Sequence, residues 1–249
     1  VMRRWGVPRP TILWNCPPAW RPDEPGIVES DRIREATGIE PERPIVLYQG
    51  GFSVDRGVEE LVAAATESAL MELGAAVVFM GYGRLEAFIA EAVAAHPGRV
   101  YLLPAVRPDD LMPWTASADV SFVGQPPRTL NQRMNLPNKL FESIMAGVPV
   151  VVSEGNEQCR LTSDEGIGVC ANIDDPAAVA AACADLLTAA PDARRTLRVH
   201  CREVALAKYT WDHTAVGLIE LYRKLARETL PADGHSIRDG ASPRGGADA

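Results

Sequence analysis

The 249-residue chain is poor in basic charge, in histidine and in closely spaced cysteine. Its 25 lysines and arginines are outnumbered by 33 acids, which gives a formal net charge of −8. Without a basic stripe, this composition argues against a nucleic-acid-binding protein. The histidines are dispersed and show no metal-ligand spacing, so we expect no metal site.

The cysteines are odd in number, widely spaced and without a C-x-x-C pair: Cys16, Cys159, Cys170, Cys183 and Cys201. This pattern predicts reduced thiols, mostly buried, in a cytoplasmic protein. No apolar run approaches the roughly 20 residues of a membrane-spanning helix, so we expect neither such a helix nor a signal peptide. Its first residue is Val1, so a fragment, a processed product and an unusual start codon all stay open.

The order of apolar runs and helical patterns predicts the fold class. Residues 1–43, rich in proline and tryptophan, are predicted to form a connector with a short strand at 11–14 and a helix at 31–37. From Pro44 onward, short runs of consecutive apolar residues alternate along the chain with amphipathic stretches. This pattern predicts an α/β fold with a doubly wound parallel sheet, Rossmann-like, and two C-terminal helices, over residues 44–230. Residues 231–249 have almost nothing to bury and are predicted to be a disordered tail.

The individual elements follow from the periodicity of the sequence. Strands are predicted at 45–49, 76–80, 100–103, 119–123, 149–153 and 168–170. Helices are predicted at 58–71, 85–95 and 109–118, from Pro137 onward, and at 176–189, 192–208 and 211–228, with a long loop at 124–136.

Glycines follow the first two predicted strands, where ligands bind in open parallel sheets. Gly50 and Gly51 are predicted to form a tight turn that lets the backbone approach a diphosphate, with Arg56 supplying charge. An ordinary βα turn with a solvated arginine is the alternative. The later G-x-G that begins at Gly81 has Glu86 where the third glycine of a dinucleotide fingerprint belongs, which argues against NAD binding.

The stretch at 137–152 combines a helix start with groups that suit a nucleotide. Proline suits the first turn, Gly147 suits the position after the last turn, and a β-branched strand follows. Lys139 and Glu142 lie three residues apart on one face. Free backbone amides and a lysine suit phosphate, while a carboxylate suits sugar hydroxyls. An exposed helical ion pair is the alternative.

Together these motifs resemble the C-terminal, nucleotide-sugar-binding half of GT-B glycosyltransferases, most closely the retaining group often called family 4. The similar stretches run from about Ile45 to Leu225. They comprise Y-Q-G-G-F-S-V-D-R-G-V from Tyr48, the G-x-G turn, P-N-K-L-F-E from Pro137 with A-G-V-P-V-V after it, and Thr210-Trp211 with Tyr222.

The resemblance implies a hexosyltransferase that moves a sugar from a nucleoside-diphosphate sugar to an acceptor, with no cofactor. It implies Arg56 and Lys139 as the catalytic residues that neutralise the leaving diphosphate. The donor-binding residues it implies are Gly50, Gly51, Arg56, Gly81, Asn138, Lys139, Leu140 and Glu142, with Glu142 on the ribose hydroxyls.

The chain departs from the family pattern at two motif positions and in length. Met134 stands where the first glutamate of the family's E-x7-E belongs, and Gly51 stands where an arginine is usual. The chain does not include the N-terminal Rossmann-like half of the family. We therefore expect a partner half or a partner chain, and we expect membrane contact only through that half. The alternatives are a non-catalytic nucleotide-binding half-enzyme and a nucleotide-sugar epimerase, which would need further acids and a histidine.

Overall fold

A parallel sheet forms the centre of the molecule. The computed structural model describes residues 6, 11–21 and 31–229. Its six strands all run parallel, in the order β3-β2-β1-β4-β5-β6. They are β1 (Ile45–Phe52), β2 (Ala76–Gly83), β3 (Val100–Pro104), β4 (Val120–Val123), β5 (Val150–Ser153) and β6 (Gly168–Ala171). The predicted doubly wound α/β class is confirmed.

Helices connect the strands and follow the last one. They are α1 (Arg32–Thr37), α2 (Val58–Ala64), α3 (Ser68–Glu72), α4 (Glu86–Ala95), α5 (Leu111–Ala116), α6 (Leu130–Met134), α7 (Asn138–Met145), α8 (Glu157–Glu165), α9 (Pro176–Thr188), α10 (Pro191–Lys208) and α11 (Trp211–Thr229). A 3-10 turn, Pro108–Asp110, precedes α5.

The strands have no polar face because helices cover the sheet on both sides. In β1, Ile45 and Leu47 join the hydrophobic cluster under α7 and α10, while Val46 and Tyr48 join the cluster under α2 and α9. Alternate side chains of a strand point to opposite faces, so both faces must be apolar. The strand order reverses between β1 and β4, and open parallel sheets have their ligand crevice beyond the carboxyl ends of the strands at such a reversal.

The predicted tight turn at Gly50 and Gly51 is wrong, because β1 continues through both glycines to Phe52. Gly50 pairs with Gly81 of β2, and Phe52 pairs with Gly83. A Cβ at Gly81 would overlap the carbonyl oxygen of Gly50. The glycines therefore let two strand ends approach closely beside the crevice.

Two predicted elements and one predicted loop differ in the structure. The helix predicted at 58–71 is divided into α2 and α3, because the Thr66 hydroxyl donates to the carbonyl of Ala63 where the chain turns. The loop predicted at 124–136 contains α6, whose Thr129 and Gln132 form a capping box. Residues 11–14 form no strand. The tail predicted at 231–249 lies outside the described residues.

Two residues of the connector, Trp14 and Pro17, contact α7, the end of α10 and the start of α11. The Trp14 ring lies 6.4 Å from that of Phe141 and 5.2 Å from that of Tyr209, centroid to centroid. The amide of Trp211 donates to the carbonyl of Pro17 at 2.9 Å. The connector is therefore held against the helices by ring contacts and by a backbone hydrogen bond.

The expectation of reduced thiols is wrong for two of the cysteines. Cys159 on α8 and Cys170 on β6 form a disulfide, with Cα atoms 5.5 Å apart, while Cys16, Cys183 and Cys201 are free and buried. The pairing follows from α8 packing beside β6, which cysteine spacing alone does not show. The predicted cytoplasmic location was based partly on reduced cysteines, and it stays a prediction without that argument. Over the described ranges, no helix is both long and apolar enough to cross a bilayer.

A thiol titration of the denatured protein, purified without reductant, tests the disulfide. We expect three titratable thiols, those of the free cysteines, rather than five. The substitution Cys159→Ser should release the thiol of Cys170 and add one. Five thiols in the unreduced wild-type chain would show that the bond does not form.

Candidate functional site

An open cavity of about 510 Å³ lies at the carboxyl ends of β1 and β2, beside the start of α7. Most of the residues that the resemblance implied line it: Gly50, Gly51, Arg56, Gly81, Asn138, Lys139 and Glu142. It is completed by residues without a predicted role: Tyr48, Gln49, Ser53, Met80, Tyr82, Ala105, Val106, Pro108 and Leu111. Parallel strands thus bring together residues far apart in sequence.

The first turn of α7 supplies the cavity with unpaired backbone amides. Pro137 is the N-cap residue in an extended conformation, and the helix begins at Asn138. In the described part of the chain, nothing accepts a hydrogen bond from the amides of Asn138 and Lys139. Such a helix start attracts anions, because free N–H groups and the helix dipole point the same way.

Leu140 is the one implied donor-binding residue that the structure places elsewhere. Its side chain is fully buried in the core, and its amide donates to the carbonyl of Pro137 at 3.0 Å. A donor contact through Leu140 therefore has no support in the geometry. The residue anchors α7 to the sheet instead.

Lys139 reaches back over β1 and lies on an aromatic ring. Its Nζ is 3.8 Å from the ring centroid of Tyr48, whose hydroxyl donates to the carbonyl of Gly51 at 2.9 Å. Burial, with the nearby positive charge of Arg56, lowers the pKa of Lys139 to about 7, while Glu142 opposes the change. A bound anion would favour the protonated form of Lys139 and would therefore raise its lowered pKa again.

Glu142 is held by a buried side-chain network. Its Oε2 accepts a hydrogen bond of 2.9 Å from Nε2 of Gln49, and Oε1 of Gln49 lies 2.6 Å from Oγ1 of Thr115. Burial raises the pKa of Glu142, and the Gln49 bond and the Lys139 charge oppose part of that rise. The predicted alternative, an exposed ion pair between Lys139 and Glu142, is wrong, because each side chain has another partner.

Arg56 lies on the loop after β1 and lines the cavity. The side chain is exposed, yet its charge reaches Lys139 and contributes to the lowered pKa there. Gly57 follows with φ of 79° and caps α2, which starts next to the cavity. The two cationic side chains therefore reach one cavity from different elements, and their combined positive charge favours an anion there.

Sequence reasoning missed the role of Gln49. It is a buried polar residue in β1, directly after the apolar run 45–48, and that position is the signal that could have shown it. Met134 is 64% exposed on α6 and does not line the cavity, and Glu142 is the one carboxylate among the described residues that do. Within the described ranges, no cluster of histidine, cysteine and carboxylate side chains could hold a metal ion.

The strand order and a cavity at the strand reversal define this protein as a Rossmann-like domain of the kind that binds ligands beyond its strand ends. Residues 43–189 match the family model described as glycosyl transferases group 1. The chain belongs to this family. Its fold is that of the C-terminal half of GT-B enzymes, so the resemblance seen in the sequence is confirmed.

Two curated relatives show the same family at moderate identity. The chain is 28% identical over 220 residues to alpha-maltose-1-phosphate synthase of Mycolicibacterium smegmatis, covering 83% of this chain and 54% of that protein. It is 27% identical over 199 residues to D-inositol 3-phosphate glycosyltransferase of Xylanimonas cellulosilytica, covering 78% of this chain and 46% of that protein. The chain therefore spans about half the length of these relatives.

A solved structure with bound nucleotide has a similar fold. Anabaena HepE, crystallised with UDP and glucose, matches with a TM-score of 0.60 at 14% identity. The match covers 79% of this chain and 52% of that one. At this identity the likeness concerns the fold alone.

Proposed function

We propose that this chain binds the donor of a hexosyltransferase, which moves a sugar from a nucleoside-diphosphate sugar to an acceptor. One observation carries the proposal: the cationic side chains of Arg56 and Lys139, the free amides of α7 and the carboxylate of Glu142 surround one cavity. The cations and amides suit a diphosphate, and the carboxylate suits the hydroxyls of a ribose. HepE, in the same fold, holds UDP and glucose.

The chemistry assigned to these residues is stabilisation of the leaving group. When the bond between the sugar C1 and the diphosphate oxygen breaks, negative charge builds up on the diphosphate. Arg56 and Lys139 would neutralise that charge, and the amides of Asn138 and Lys139 would donate to it. The proposal therefore includes no metal. Retention at C1 belongs to the proposal through the family resemblance alone.

The proposed transfer also requires a second half that holds the acceptor. The chain spans about half the length of its curated relatives, so a second Rossmann-like half or a partner chain is part of the proposal. The epimerase alternative gains no support, because none of the described histidines, His96, His200 and His213, lines the cavity.

Calorimetric titration with UDP, GDP and ADP tests the proposal. We expect at least one of them to bind the wild-type chain. Glu142→Gln should weaken that binding by about ten- to hundredfold, because a hydrogen bond to a charged group is worth about 1.5–3 kcal/mol. Glu91→Gln, an exposed glutamate on α4 away from the cavity, should leave it unchanged.

Two outcomes would contradict this assignment. The first is that none of the three nucleotides binds. The second is that Glu142→Gln and Glu91→Gln bind with the wild-type affinity.

A further inference from the structure

The Glu142 carboxylate has one oxygen bound and one free. Its Oε2 accepts from Gln49, whereas its Oε1 has no hydrogen-bond partner in the described part of the chain. Glu142 lines the cavity, so a ligand can approach that free oxygen. The hydrogen bond from Gln49 thus determines the orientation of the Glu142 carboxylate.

Gln49 itself is locked in place. It is 2% exposed, and its Oε1 is 2.6 Å from the Thr115 hydroxyl. That hydroxyl also lies 3.1 Å from the carbonyl of Leu111 and has only one proton, which the shorter contact directs to Gln49. An amide turned the other way would set its oxygen against the Glu142 carboxylate. Thr115 and Glu142 together therefore fix a single orientation of the Gln49 amide.

We propose that Gln49 is a positioning residue that holds the Glu142 carboxylate with one oxygen aimed into the cavity, and so sets the preference for ribose over deoxyribose. A carboxylate fixed by a buried donor loses little freedom when it accepts two adjacent hydroxyls. Removal of one of those hydroxyls costs the partly buried carboxylate one of its two charge-assisted hydrogen bonds to the ribose, and this loss is the physical source of the selectivity. The inference rests on the proposed function, because it concerns the nucleotide of the donor.

The test compares ribose and deoxyribose nucleotides on matched variants. The probe is whichever of UDP, GDP and ADP binds the wild type most tightly, together with its 2′-deoxy and 3′-deoxy analogues. Gln49→Met keeps the length of the side chain and removes its polar atoms. Gln158→Met is the matched control, because Gln158 is also a fully buried glutamine, donates to Gln125 at 3.2 Å and does not line the cavity.

We expect the wild type to prefer the ribonucleotide by about ten- to hundredfold, as for loss of a hydrogen bond to a charged group. In Gln49→Met this ratio should fall to a few-fold, while Gln158→Met should keep the wild-type ratio even if its unfolding midpoint drops. Thr115→Val, which unlocks the amide without touching Glu142, should give an intermediate ratio. This variant decides the question if Gln49→Met does not fold.

The outcomes separate this inference from the function on which it rests. Nucleotide binding with an unchanged ratio in Gln49→Met, or with no ribose preference in the wild type, overturns the role of Gln49 and leaves donor binding in place. A wild-type chain that binds none of the three nucleotides overturns both. A ratio that collapses in Gln49→Met and persists in Gln158→Met supports the inference, since a merely structural role would not change it.

Discussion

Replacement of Lys139 by methionine is expected to weaken nucleoside diphosphate binding by more than about hundredfold, since charge-assisted bonds to phosphate are among the strongest in proteins. The ammonium lies 3.8 Å from the Tyr48 ring centroid at the start of α7, beside the free amides that complete the proposed phosphate site. Methionine keeps most of the stem over the ring but removes the charge. Calorimetry of the two proteins at pH 7 measures the loss.

The pH dependence of binding provides a sharper form of the same prediction. Because the pKa of Lys139 is lowered to about 7, the free protein loses this charge as the pH rises from 7 to 9. A bound diphosphate stabilises the ammonium, so affinity should fall by about tenfold per pH unit while the bound lysine stays protonated. Lys139→Met and Lys139→Arg should both give a flat profile over this range, because neither titrates there. A wild-type profile as flat as theirs would contradict the prediction.

The stability of the free protein should change in the opposite direction. The folded pKa of Lys139 lies below its ordinary value of 10.5, so between these values the unfolded chain binds more protons than the folded one. The contribution of Lys139 to the free energy of unfolding therefore rises with pH from about 7 to 10.5. If the protein instead unfolded globally at high pH, the free energy of unfolding and the affinity would both fall. Titration of Lys139 alone should lower the affinity while its contribution to the free energy of unfolding rises.

The helices and strands of this fold could be predicted from the sequence where neighbouring residues determine them. Strands such as 76–80 and 149–153 are rich in apolar residues without polar alternation, as expected in a sheet covered on both faces. The start of α7 was readable from Pro137 and its end from Gly147. The division of the predicted helix at 58–71 could not be predicted in this way, because the hydroxyl of Thr66 bonds to the carbonyl of Ala63, and such local bonds also occur in unbroken helices.

The site was predictable as a set of residues but not as a set of contacts. Arg56, Lys139 and Glu142 were found from motif and resemblance, and the cavity joins them. The contacts of these residues depend on how strands and helices pack against each other, which could not be predicted from the sequence. Gln49 meets Glu142 across 93 positions, and the Tyr48 ring lies under Lys139 because β1 and α7 adjoin in space.

Replacement of Gly57 by alanine is expected to cost about 2–5 kcal/mol of unfolding free energy, from a left-handed residue (about 1–2) and overpacking (about 1–3). Its φ is 79°, and an added Cβ would lie 2.7 Å from Phe122 Cε1 and 2.9 Å from the carbonyl oxygen of Gly124. Gly38→Ala is the matched control, because its φ is 69° and nothing lies within 4 Å of its Cβ. Urea unfolding of both variants measures the difference.

The control separates backbone strain from crowding in the loop that carries Arg56. Gly38→Ala should cost about 1–2 kcal/mol, the strain part alone, so the excess in Gly57→Ala measures the contact with β4 and the residue after it. Relief of that contact must shift the loop after β1, so nucleotide binding should weaken in Gly57→Ala and not in Gly38→Ala. Equal costs for the two variants would show that the loop yields freely, and Arg56 would then not be held at the cavity by the packing of its neighbour.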